Sequence, residues 1–167
     1  MLTSNCFRFL STGFLILILA AGCQSGFKPC PYADSGAPEA NAGCLVTRGD
    51  DVLVVTMRLT GKQSLPGGTT DPGESPQCTA YRETLEETGV AVKVKELLAE
   101  MPNGFQLFRC EAIKENPLLN THDWKEVSDV SWRSWLSLDQ ENWRYPQWFE
   151  QTRSLIRENI TGISKQL

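Results

Sequence analysis

The sequence predicts an α+β domain, and three observations lead there. Two strand-like runs, residues 43–47 and 52–57, are separated only by a turn; residues 75–88 form a helical stretch bounded by its own capping residues; and residues 146–160 repeat apolar side chains at helical spacing. Strand runs that neighbour each other directly favour α+β over a doubly wound sheet. At 167 residues, 41% hydrophobic and 22% charged, the chain suits one domain with a real core. Its net charge of −4 argues against a general electrostatic hold on nucleic acid.

In chain order, residues 1–22 come first and are a different material. They contain no acid and one base, Arg8, followed by the apolar run FLSTGFLILILAAG. That run is short for a spanning helix and ends in small residues, the pattern of a secretory signal peptide. The junction LAAGC resembles the bacterial lipobox, which implies cleavage before Cys23 and lipidation of that cysteine as a membrane anchor facing the periplasm. Ala20 and the single base depart from the common pattern, and an uncleaved anchor or a cut elsewhere are the alternatives. Gln24 after Cys23 resembles lipoproteins sorted to the outer membrane. Residues 23–41, rich in Gly, Pro, Ser and Ala without periodicity, read as a flexible tether.

The folded body is expected over residues 42–167. Its two first strands turn at Gly49-Asp50-Asp51, and a glycine-rich loop, LPGGTTDPGE, follows. In the helix after it, Ser75 suits the N-cap, Pro76 the first turn and Gly89 the left-handed C-terminal position. VAVKVKELLAEM and FQLFRCEAI read as strands, and residues 127–132 as another. The last helix presents Trp148, Phe149, Thr152, Leu155, Ile156 and Ile160 on one face. Beyond Cys6 and Cys23, four cysteines remain: Cys30, Cys44, Cys78 and Cys110. In an exported chain they invite disulfides in any of three pairings, with buried free thiols as the alternative. Zinc is disfavoured, because no CxxC pair exists and His122 is the lone histidine.

The stretch from Gly68 to Gly89, GTTDPGESPQCTAYRETLEETG, carries the chemistry. On a helix Cys78, Tyr81, Leu85 and Thr88 fall on one side, while Glu83, Glu86 and Glu87 fall within an arc of about 100° nearly opposite. Like charges at this spacing repel by a few tenths of a kcal/mol per pair. A solvated acidic face is the plain reading. The flanks favour another: Gly67-Gly68 can bring backbone close to a ligand, Glu74 adds a fourth carboxylate, and Arg82 offers a fork that holds a carboxylate in place. Such an oxygen-rich cluster suits a hard divalent cation.

These residues resemble the Nudix box, GX5EX7REUXEEXGU, with U a bulky apolar residue. Gly68, Glu74, Arg82, Glu83, Glu86, Glu87 and Gly89 fill its seven fixed positions and Val90 its last apolar one; Thr84 is the single departure. Seven such identities arise by chance about once in 10⁹ placements. The resemblance implies an α/β/α sandwich with a mixed sheet, in which the box forms a loop–helix–loop. It also implies hydrolysis of a pyrophosphate bond in a nucleoside diphosphate linked to another group. Glu83, Glu86, Glu87 and the Gly67 carbonyl would ligate Mg2+ or Mn2+, and Arg82 and Glu74 would orient the cluster. Glu83, Glu111, Glu115 and Glu126 are the candidate bases. A nucleotide sensor on the same fold, binding without turnover, is the alternative.

The substrate is open: Phe105 and Phe108 stand where the marker proline of many ADP-ribose hydrolases and the tyrosine of dinucleoside polyphosphate hydrolases would fall. Export favours a nucleotide-sugar, an extracellular dinucleotide or a lipid-linked diphosphate. The five tryptophans read mainly as core, with one free to stack on a base. His122 reads as a loop residue, and Arg58 and Lys62 as either solvated charges or phosphate contacts. The oligomeric state has no signature.

Overall fold

The computed structural model describes residues 30–32 and 38–162. The leader and the expected lipidation site Cys23 lie outside the described residues. The elements run β1 (Ala42–Arg48), β2 (Asp51–Met57), β3 (Gln63–Ser64), β4 (Gly67–Gly68), α1 (Pro76–Thr88), β5 (Val92–Glu100), β6 (Gln106–Ala112), β7 (Val127–Ser134) and α2 (Phe149–Thr161). The strand order β3-β2-β1-β6-β5, with β4 on β1 and β7 on β2, makes a mixed sheet. β1 runs parallel to β6, pairing Ala42 with Gln106 through Val46 with Cys110, while the other named pairs are antiparallel.

β1 sits at the centre and shows why two helices are needed. Its alternate side chains leave in opposite directions. Cys44 and Val46 join Leu53, Phe108 and Cys110 beneath Ala80 and Tyr81 of α1. Leu45 joins Val52, Val54 and Leu107 beneath Phe149 and Ile156 of α2. Each fully buried side chain of this kind contributes roughly 2 kcal/mol, and both faces of the strand are covered. The result is the α/β/α sandwich with a mixed sheet.

The caps of α1 form as the sequence predicts. Ser75 Oγ accepts from the Cys78 amide at 3.3 Å, Pro76 opens the helix, and Gly89 closes it with φ 72°. A side chain at Gly89 would also strike the Asn120 carbonyl at 2.6 Å, because the 120–123 loop docks on this end. The Asn120 amide donates to Thr88 O at 2.9 Å, and the His122 and Asp123 amides donate to Glu86 O at 2.7 and 3.1 Å. The buried side of α1 is unusually polar. Thr84, the departure from the expected apolar position, is fully buried and donates back to Ala80 O at 2.7 Å. It therefore packs without leaving its hydroxyl unsatisfied.

Three expectations need correction. The glycine-rich loop contains strand pairing, since β4 bonds to β1 and β3 precedes it. The last helix begins at Phe149, because residues 146–148 form a 3₁₀ turn first. Residues 23–41 are not wholly a free tether. The Tyr32 hydroxyl accepts from the Val94 amide at 2.8 Å, its carbonyl accepts from Ser75 Oγ at 3.1 Å, and Glu39 accepts from the Gly73 amide at 2.5 Å. The disulfides that the four cysteines invite are present, and of the three pairings the structure has Cys30–Cys78 with Cys44–Cys110. The second pair joins the parallel neighbours β1 and β6; the first ties residue 30 to the first turns of α1.

Candidate active site

α1 carries the site, and β4 forms its rim. Arg82 is the hub. Its Nε and Nη2 donate to the two oxygens of Glu74 at 3.0 and 2.9 Å, and Nη2 also reaches the Thr69 carbonyl at 2.9 Å. Its Nη1 donates to Glu83 at 2.8 Å and to Glu86 at 3.1 Å. The sequence suggests a fork holding one carboxylate; the structure shows one fork gathering three. This is how the acidic face is tolerated, because Glu74, Glu83 and Glu86, at i−8, i+1 and i+4 from Arg82, share its charge.

Glu87 takes a different course. It is not on an outward acidic face: it is 2% exposed, and its Oε2 accepts from the Gly67 amide at 2.8 Å. Burial pushes its carboxyl up to about 8, against the Gly67 hydrogen bond; Glu83 and Asp123 add to the rise and Arg144 opposes it. Glu83 is also raised, chiefly by burial, with Arg82 opposing and Glu86 and Glu126 adding. Burial would raise Glu74 too, but the hydrogen bonds from Arg82, the Asp71 amide and Thr79 outweigh it, and its pKa is lowered. Arg82 is raised despite its burial by Glu74 and Glu83. Two glutamates on one helix are thus reluctant to ionise while a third is held charged.

The Gly67-Gly68 pair brings backbone hard against these carboxylates. A Cβ on Gly68 would lie 2.6 Å from Glu83 Cδ, so only glycine leaves room for that side chain. Among the described residues no three His, Cys, Asp or Glu side chains converge as a ready-made cation site. The expected convergence on one point is divided, because Arg82 draws Glu83 and Glu86 while Glu87 turns to Gly67. The donor chemistry nevertheless fits a hard divalent ion. Glu83, Glu86 and Glu87 offer oxygen alone, as magnesium and manganese require.

Beside β4 opens a cleft of about 140 Å³, lined by Gly67, Gly68, Phe105, Arg144, Tyr145 and Trp148 among others. The sequence reading missed Arg144, Phe105 and Tyr145 here. The alternation Trp143-Arg144-Tyr145, aromatic around a base, was the available clue. That segment arrives by pairing with β3: the Gln63 amide donates to Asn142 O and the Arg144 amide to Gln63 O, both at 2.7 Å. Trp143 is core, as expected of most tryptophans, while Trp148 edges the cleft.

The remaining candidates are scattered. Glu111 is bound to Lys95 at 3.0 Å and Arg109 at 2.7 Å on the far strands, and those two cations lower its pKa. Glu115 is exposed in the loop after β6. Glu126 is exposed but near enough to raise Glu83. His122 is an exposed loop residue. Arg58 and Lys62 are engaged by carbonyls, Arg58 with Trp124 and Val127 and Lys62 with Glu141.

Comparison with known proteins agrees with this fold. The family profile described as NUDIX domain matches residues 37–158. An RNA pyrophosphohydrolase of Erythrobacter litoralis is 34% identical over 65 residues, 36% of this chain and 40% of the relative. The chain spans 34 to 49% of the length of the curated relatives it matches. Among solved structures, a UDP-X diphosphatase superposes with TM-score 0.63 at 20% identity, covering 78% of this chain and 66% of that one. An ADP-ribose pyrophosphatase from Streptococcus suis gives 0.62 at 19% identity, covering 78% and 96%.

Proposed function

This chain belongs to the NUDIX family, and on that premise we propose that it cleaves the pyrophosphate linkage of a nucleoside diphosphate joined to a second group, by attack of water at phosphorus. The observation that carries the proposal is the juxtaposition of Glu83 and Glu87 with the Gly67-Gly68 rim of an aromatic cleft containing Arg144, with Glu86 tied to Glu83 through Arg82. Relatives described as an RNA pyrophosphohydrolase and a UDP-X diphosphatase support the reaction class.

Magnesium or manganese held by Glu83, Glu86, Glu87 and the Gly67 carbonyl would neutralise the diphosphate and acidify the attacking water. The chain's own residues do the rest. Arg82, braced by Glu74, fixes the direction of Glu83 and Glu86. Arg144, at the cleft, supplies positive charge toward the phosphates. We assign the proton of the attacking water to Glu126, which is exposed and sits in the turn bound to Glu86 through the Asp123 amide, whereas Glu111 is taken up by its two cations. The cleft receives the group attached to the diphosphate.

The same reading assigns the enzyme to the bacterial envelope, exported and lipid-anchored through Cys23 toward the periplasm. The leader's composition supports this, as do two disulfides, which persist in oxidising compartments.

The deciding experiment is a screen of diphosphate compounds on the protein beginning after Cys23, with magnesium, with manganese and with chelator. Turnover is expected only with metal, and Glu86→Gln is expected to lower it at least about 100-fold with an unchanged melting temperature. Tight binding without turnover of any compound would establish the sensor instead. Fractionation of cells carrying Cys23→Ala tests the anchor: release from the membrane is expected.

A further inference from the structure

We propose that Trp124 is a second recognition platform, on the opposite side of the carboxylates from the aromatic cleft, and that the substrate carries a planar group at each end of its phosphate bridge. This rests on the pyrophosphatase reading and names the substrate class for it: a dinucleotide-type molecule, two heterocycles joined through a di- or oligophosphate.

Trp124 is the one exposed tryptophan of the five, at 66%. An exposed aromatic on a loose loop would mean little, but this backbone is tied down. Arg58 Nε donates to the Trp124 carbonyl at 2.6 Å, and its Nη2 donates to Val127 O at 3.0 Å. The Arg58 amide donates to Glu126 O at 2.7 Å, the Val127 amide to Asp123 O at 3.0 Å and the Asp123 amide to Glu86 O at 3.1 Å. Arg58, just past the end of β2, and helix α1 therefore both fix the turn that holds the ring in solvent. A platform with its backbone already ordered loses little entropy when a base stacks on it.

The position of the ring gives it a purpose. Glu86, Asp123, Trp124 and Lys125 line one open hollow, and the Lys125 ammonium lies 5.9 Å from the ring centroid, where it can meet a phosphate. On the other side, Glu87 bonds to Gly67 and Glu83 abuts Gly68, and both glycines line the aromatic cleft. The carboxylates thus stand between two recesses, each with an aromatic surface and a base: Tyr145, Trp148 and Arg144 in one, Trp124 and Lys125 in the other. A nucleotide-sugar fills one and has no planar group for the second.

The test compares a dinucleoside diphosphate with a nucleotide-sugar in wild type, Trp124→Ala and Trp124→Phe. Trp124→Ala is expected to raise KM for the dinucleotide about 10-fold, the contribution of one base stacked on an aromatic ring. It should leave the nucleotide-sugar unaffected, and Trp124→Phe should restore most of the loss. Equal effects on both compounds, or none on either, would overturn the platform. Should wild type turn over neither compound, the hydrolase reading is left to the wider diphosphate screen, and calorimetric titration of the same pair still decides the platform. Tighter dinucleotide binding that Trp124→Ala abolishes sustains the platform, and indifference to the substitution removes it.

Discussion

The Gly67 amide donates to Glu87 Oε2 at 2.8 Å, joining the two-residue strand β4 to a carboxyl group that is 2% exposed. One amide bond does not offset the loss of water around a carboxylate, so the Glu87 pKa is pushed up to about 8. In the metal-free protein this raised pKa favours the protonated form near neutral pH, so protonation as well as Arg82 relieves the repulsion expected along the acidic face.

That shift has a sign in folding. The folded state holds the Glu87 proton more tightly than the unfolded chain does, so its contribution to stability is complete below about pH 4.5 and is lost as pH rises through about 8. In metal-free protein the melting temperature is expected to fall across that window, and Glu87→Gln, which keeps an acceptor for Gly67, is expected to flatten the profile. Added manganese should release protons and raise the melting temperature more at pH 8 than at pH 6.5, because the ion competes with the proton for the carboxylate. Calorimetry over pH, with and without metal, checks all three; a melting temperature that climbs between pH 5 and 8 in the metal-free protein would contradict the assignment.

Arg82 offers a second prediction. Its fork grips Glu74 through two nitrogens while Nη1 serves Glu83 and Glu86. Lysine keeps the charge but cannot repeat that planar geometry. Arg82→Lys is expected to cost about 2 kcal/mol of stability and to lower turnover about 100-fold or more. A double-mutant cycle with Glu74→Gln should show coupling, since the two residues share one interaction. Additive effects in urea melts would mean that the bridge in the structure does not act in solution.

The same residues show what was legible from sequence. Ser75, Pro76 and Gly89 work through local backbone chemistry, so α1 was placed within a residue at either end. The Arg82–Glu74 pair is what the resemblance to the box implies, and the structure contains it. The sequence reads β4 as loop and offers no strand at β3, because two residues hold strand geometry only through partners, Thr56 and Val55 for β3 and Gly43 and Ala42 for β4. Arg144 enters the cleft through pairing of its segment with Gln63, distant in sequence. The cystine pairing needed the parallel contact of β1 with β6 before Cys44 could meet Cys110. Glu87 was misplaced because helical angle alone cannot tell that the loop before the helix folds over its last turn.

Gly68 separates packing from catalysis. A methyl group there would meet the Glu83 carboxyl at 2.6 to 2.7 Å, the far end of a flexible side chain rather than backbone. The fold is expected to accept Gly68→Ala with a melting temperature within about 4 °C of wild type, while Glu83 is forced away. Turnover should fall about 100-fold, the usual consequence of misplacing a reacting group by an ångström. A loss of activity matched by unfolding would make Gly68 a packing residue only.

Cys30–Cys78 closes a sequence separation of 48 residues and anchors the segment in which Tyr32 caps the Val94 amide and meets the Tyr81 ring edge-on at 6.4 Å. Loop-closure entropy alone assigns such a cross-link about 4 kcal/mol, with measured losses commonly 2–5. The paired Cys30→Ser, Cys78→Ser variant is expected to unfold at a lower urea midpoint with a stability loss in that range. Its Tyr32 contacts should loosen as well, so the Val94 amide should exchange hydrogen faster than in wild type. Cys44–Cys110 has both sulfurs in the core, at 0% and 3% exposure, whereas the other bridge pairs Cys78, also 3% exposed, with a half-buried Cys30, so a mild dithiol attacking at Cys30 should reduce that bridge first. Thiol labelling during graded reduction checks that order: label appearing on Cys44 and Cys110 before Cys30 and Cys78 would mean that the N-terminal clasp is tighter than its exposure suggests.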